Sequence, residues 1–145
     1  MLLTRCCFHR RISLSAAIEM NTDLTNRSDI EMLVRKFYDK VKHDPLLAPH
    51  FSHVDWATHL PVMYNFWTSM MLGEQSYRGN PFQKHVNLII DADHFHAWEK
   101  LFYETVDEHF SGEKANEIKV RARNISKVFQ YKMNLSPNDQ QHSAQ

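Results

Sequence analysis

The chain is 145 residues long with 43% apolar content, the size of one domain around a single buried core. Lysine plus arginine and aspartate plus glutamate number 17 each, so no global field nominates nucleic acid or an anionic membrane surface as a partner. Charged residues interrupt every apolar run short of a membrane span, and three glycines without strand-like alternation predict an all-helical, soluble protein.

At the start, Arg5, Arg10 and Arg11 lie among Leu, Ser and Ala with no acid before Glu19, the composition of a targeting segment. Met20 followed by Asn21-Thr22-Asp23 is an ordinary polar start. Residues 1–19 are therefore expected to be an upstream start-codon artefact or a disordered extension, with a transit-like segment as the alternative. Cys6 and Cys7 are adjacent, too close for an ordinary disulfide and without zinc-clip spacing, which fits a reduced, cytoplasmic setting.

Ser28 to Glu31 reads as a capping box, and Ile30, Leu33, Val34, Phe37 and Val41 follow helical spacing until Pro45, predicting a first helix over about 29–43. Asp55 or Thr58 then caps a second helix, striped by Val62, Met63, Phe66, Trp67, Met70 and Met71 and ended by Gly73. Pro61 lies inside it, so its first turn is expected to be kinked, irregular or late-starting. Asn80-Pro81 has the residue types of a cap and first helical position, which puts His85 about one turn into a short third helix. Asp91 or Asp93 caps a fourth, with Phe95, Trp98, Phe102, Val106 and Phe110 inward and Gly112 closing it. A fifth runs over about 113–133 with Ile118, Ala122, Ile125 and Phe129 on one face. The expected organisation is a helical domain over 20–135 and a polar disordered tail over 136–145.

Taken in order, Phe37-Tyr38, His59 with Asn65-Phe66-Trp67, Tyr77-x-Gly79-x-Pro81 leading to His85, and His94-Phe95-x-x-Trp98 with Leu101-Phe102 resemble the truncated haemoglobins. These are short globins built as a two-over-two helical sandwich around haem. The paired glycines that the first two groups of the family use at helix ends are absent, and the third group is the better match. The basic extension at the start is not part of the family pattern.

The resemblance implies haem b as cofactor, with His85 as proximal iron ligand. Ferrous haem needs one neutral imidazole whose other nitrogen donates a hydrogen bond that fixes the ring. It implies Tyr38 and Trp98 as distal donors to bound dioxygen, and His59 as donor, gate or internal ligand. Met63, Phe51 and Phe66 are expected as apolar contacts of the cofactor or its ligand space, with Trp67 and Phe102 as further candidates for haem or core contact. Arg78 and Lys84 could pair with haem propionates, and Lys119, Arg123 and Lys127 form a stripe able to receive an acidic electron donor. Read without the family, each of these residues has an ordinary role: core packing for the aromatics and Met63, a solvated surface for the histidines and bases.

The expected function is binding of dioxygen and related diatomic ligands at a five-coordinate iron in a monomer. Chemistry on the bound ligand, either nitric oxide oxidation or peroxide reduction, would need an external reductase, since nothing in the chain binds flavin or nicotinamide. The alternatives are an oxygen carrier, store or sensor without turnover, a helical interaction module without haem, and a non-haem metal bundle. No glutamate has a histidine three residues on, which counts against the last.

Overall fold

The computed structural model describes residues 21–135, so the expectations for 1–19, for 136–145 and for the two cysteines lie outside the described residues. Four α-helices occur there: α1 Arg27–Val41, α2 Trp56–Leu72, α3 Ala92–His109 and α4 Glu113–Lys132, with 3₁₀ turns at Ala48–Phe51 and Pro81–Lys84. Helix α1 packs on both α2 and α3, and α3 packs on α4, so two helix pairs stack through α1. No described residue is in a strand, and no helix among them is long and apolar enough to cross a membrane.

The first helix begins two residues earlier than its sequence pattern suggests, because Asn26 and not Ser28 is its cap. Asn26 accepts from the Asp29 N–H at 3.1 Å, and the Asp29 carboxylate accepts from the Asn26 N–H at 3.2 Å, which closes a capping box two residues before the expected one. The apolar positions behave as expected: Ile30, Leu33, Val34, Phe37 and Val41 are all buried. Removing a phenyl side chain such as that of Phe37 from water contributes about 2–3 kcal/mol.

Asp55 caps α2 through the Ala57 N–H at 3.1 Å, and Gly73 ends it in the left-handed conformation at φ 71°. Contrary to expectation, the helix starts at once and runs through Pro61. The proline sits in the second turn on an exposed face, so the Ala57 carbonyl it leaves without an N–H partner is open to water. Val62 beside it is 41% exposed and does not join the inward stripe.

The expected third helix is a single 3₁₀ turn, and His85 is its C-terminal cap, held by its N–H to the Phe82 carbonyl at 2.9 Å. Helix α3 starts at Asp91, whose carboxylate accepts from the Asp93 N–H at 3.0 Å while the His94 side chain returns to the Asp91 backbone. It ends at His109 and not at Gly112. Phe110 turns into the core in extended conformation, and Gly112 instead opens α4 at φ 141°. A Cβ on Gly112 would lie 2.5 Å from the Asp23 side chain, which needs that space to cap α4 through the N–H groups of Lys114 and Ala115 at 2.9 and 2.8 Å.

Candidate functional site

Tyr38 on α1, His59 and Trp56 on α2, and Phe51 from the first 3₁₀ turn meet in one aromatic group. The Tyr38 ring lies 5.3 Å from His59, 5.3 Å from Trp56 and 5.8 Å from Phe51, and Phe51 stacks on Trp56 at 5.9 Å. Trp98 on α3 is linked to this group through Phe37, edge-on at 5.6 Å, and stacks on Phe102, which stacks in turn on Trp67 at 4.9 Å. Trp67 and Phe102 are buried and belong to the core. Met63 and Phe66 are half-buried along the same side of α2 and pack against that core.

Two polar groups in this apolar setting have distinctive surroundings. The His59 Nε2 atom is buried with no hydrogen-bond partner, a vacancy that costs free energy unless something else fills it. Burial and the neighbouring His85 hold the His59 imidazole below its ordinary pKa, so it is neutral at pH 7. Burial alone pushes the Tyr38 hydroxyl above its ordinary value, so it stays a protonated donor.

His85 is half-buried, its ring 4.9 Å from Phe129 of α4, and its Nδ1 lies 2.6 Å from the Pro81 carbonyl oxygen. A carbonyl only accepts, so Nδ1 carries the hydrogen and Nε2 keeps its lone pair. Burial lowers the His85 pKa, and the Pro81 contact offsets that only in part. A neutral imidazole with one nitrogen tied to backbone and the other free is what a metal ion requires of a histidine ligand. Together with the unpartnered Nε2 of His59, whose pKa His85 is near enough to lower, this donor set would suit an iron cofactor.

Of the remaining expected residues, Arg78 and Lys84 are exposed and make no ion pair among the described residues. The same residues gather no group of three or more His, Cys, Asp or Glu able to hold a metal, so the non-haem bundle has no ligand set there. Sequence reasoning passed over Trp56 and gave Phe129 only a core role. An aromatic three residues before His59 was the available signal for the first. Nothing local pointed to the second, because its partner His85 is 44 positions away.

The bacterial-like globin family matches residues 23–132 of the chain. A group 3 truncated haemoglobin of Campylobacter jejuni is 35% identical over 118 residues, 77% of this chain and 93% of that protein. The crystal structure of the group III truncated haemoglobin from Campylobacter jejuni superposes with a TM-score of 0.73, covering 79% of this chain and 95% of that one. The 2/2 haemoglobin of Synechococcus sp. PCC 7002, solved in the cyanomet state with covalently attached haem, gives 0.67 at 20% identity over 77% of this chain and 94% of its own, a likeness of fold.

Proposed function

Because the chain belongs to the bacterial-like globins, and within them to the third group of truncated haemoglobins, we propose that it binds haem b through His85 and carries out redox chemistry on a bound diatomic ligand. Haem binding and diatomic ligands come with the family. The particular residues and the reaction are the proposal, and the observation that carries it is the His85 imidazole, neutral and tied through Nδ1 to Pro81.

When bound, haem supplies an iron that holds dioxygen and exchanges electrons with it. On the proximal side, the Pro81 carbonyl makes His85 a stronger electron donor and stops its ring from rotating. On the distal side, Tyr38 and Trp98 each offer one hydrogen, and charge-assisted hydrogen bonds hold an oxygen atom that gains negative charge. His59 contributes a ring nitrogen with no protein partner, free to hold or pass a proton beside the ligand. Phe51, Met63 and Phe66 keep water away from that space, which slows loss of an electron to solvent. Arg78 and Lys84, both exposed, would offer positive charge to the carboxylates of the cofactor.

A distal side with several donors releases dioxygen slowly, which suits turnover better than delivery. Nitric oxide plus dioxygen plus one electron gives nitrate. Reduction of peroxide is the second reaction that the same donors would support, by stabilising the departing oxygen. Either needs a separate reductase, and we take the working form to be a cytoplasmic monomer.

The test is the visible absorption spectrum of the ferric, ferrous and carbon-monoxide-treated protein beside His85→Gly. A Soret band that moves on ligand addition and is lost or shifted in His85→Gly is expected. No Soret band after haem is added would overturn the reading.

A further inference from the structure

The outward face of α4 carries a feature that helix stability does not account for. Residues 118–132 hold Lys119, Arg121, Arg123, Lys127 and Lys132 and no acid, in a chain whose total charge is zero. Bases in the last turn suit the helix dipole, but that effect ends within one turn and says nothing about apolar neighbours. Yet Val120 is 56% exposed, Val128 48% and Tyr131 76%. Val120, Arg123, Lys127 and Tyr131 recur at helical spacing on one stripe, opposite the buried Ile118, Ala122 and Phe129. Lys119 is neutralised by Asp107 at 2.6 Å and Arg121 by Glu117 at 2.6 Å. Arg123 and Lys127 have no ion pair among the described residues. The Arg123 guanidinium instead lies over the Tyr103 ring at 5.4 Å, on the edge of a recess of about 310 Å³ that Val120 also lines.

Exposed apolar side chains interleaved with two bases that have no ion pair among the described residues are the make-up of a transient protein-docking patch. Two further facts say what fits it. A second copy of the chain meeting this face with its own would set like charges against each other, so self-association is disfavoured. And α4 is the helix whose inner face touches the iron ligand: Phe129 packs on His85 at 4.9 Å and on Phe82 at 5.4 Å. The Lys127–Tyr131 end of the patch thus lies one helix diameter, about 10 Å, across α4 from His85, with Val120 farther along the axis.

Resting on the haem reading above, we propose that this face of α4, centred on Val120, Arg123, Lys127 and Tyr131, docks an acidic one-electron carrier protein that reduces the iron. With a flavoprotein donor, one electron leaves the flavin hydroquinone anion, which becomes the neutral semiquinone. Ferric iron becomes ferrous, and no proton is transferred. The reductase that turnover requires therefore approaches from the proximal side and leaves the ligand side unobstructed.

The experiment uses the haem-loaded protein and reduced flavodoxin, a small acidic flavoprotein, as the probe. The second-order rate of iron reduction is expected to fall at least tenfold between 50 and 500 mM salt. The double variant R123E/K127E is expected to lose at least tenfold at low salt, with reduction by dithionite and carbon monoxide binding unchanged. Amide shifts on adding oxidised flavodoxin to the labelled carbon-monoxide form should cluster at 116–132. An unchanged rate in R123E/K127E, shifts centred on another element, self-association through α4, or equal charge-dependent binding to phosphatidylserine vesicles would each overturn the proposal. A missing Soret band strikes the haem reading instead, and the two failures are distinguishable because the Soret band is read on the protein alone, before any flavodoxin is added.

Discussion

The Nδ1 of His85 donates to the carbonyl oxygen of Pro81 across 2.6 Å, and the two residues bound the 3₁₀ turn that Asn80 caps through the Phe82 N–H at 3.1 Å. The orientation of the imidazole thus depends on a four-residue turn, and the turn on one amide side chain. Asn80→Ala removes the cap at a cost of about 1 kcal/mol. We expect haem to leave Asn80→Ala several-fold faster than the parent, read by transfer to excess apomyoglobin, with the Soret position retained. An unchanged transfer rate would mean that the turn is held by other contacts.

Tyr38 is a buried donor whose ring lies 5.3 Å from that of His59. Substitution by phenylalanine keeps the ring packing against Phe37, Phe51 and Trp56 and deletes only the hydroxyl. A hydrogen bond to a charged acceptor is worth about 1 kcal/mol or more, so dioxygen release from Tyr38→Phe should accelerate roughly fivefold or further. Carbon monoxide, which gains little charge, should leave at nearly the parental rate. Stopped-flow replacement of each gas measures both, and equal dioxygen off-rates would remove Tyr38 from ligand binding.

Burial, with a smaller contribution from His85, holds the His59 pKa below its ordinary 6.5 in the folded chain. The unfolded chain therefore takes up a proton at this site at a higher pH than the folded one does. Stability from this group is complete above about pH 6.5 and is lost as the pH falls from there towards the folded value. His59→Leu should flatten the decline of the urea midpoint between pH 7 and 5, and it should also leave no unpartnered buried nitrogen. Parallel pH profiles for the two proteins would show that His59 is solvated.

Asp23 closes the domain from a distance, accepting from the Lys114 and Ala115 N–H groups at the start of α4. Its partial burial would raise its pKa, but the N–H groups of Lys114, Ala115, Leu24 and Glu113 outweigh that and hold it below 3.8. Asp23→Ala should cost about 1–2 kcal/mol by loss of the cap, seen as a lower urea midpoint near neutral pH. In the parent this contribution is present above about pH 4 and is lost on acidification below it. Gly112→Ala should destabilise as well, since the new methyl meets Asp23 at a backbone angle of φ 141°. A midpoint unmoved in both would place the anchoring of α4 elsewhere.

The helices and their inward faces were legible in the amino-acid order because both depend on near neighbours. Ile30, Leu33, Val34 and Phe37 mark one face of a 3.6-residue repeat, Asp55 and Asp91 are caps by residue type, and Gly73 is a left-handed stop. Tyr38, Phe51 and His59 were also legible as candidates in the sequence, and the fold brings them together. Three features were settled only when the chain closed on itself. Helix α4 opens at Gly112 under the cap of Asp23, which lies some 90 positions before Ala115 and claims the space over that glycine. His85 faces Phe129 and so ties α4 to the 3₁₀ turn at Pro81–Lys84. Trp56 completes the wall around Tyr38 only after α1 and α2 pack. Local sequence carries propensity and periodicity, whereas a contact between distant positions leaves no mark in either until the tertiary fold brings the two side chains together.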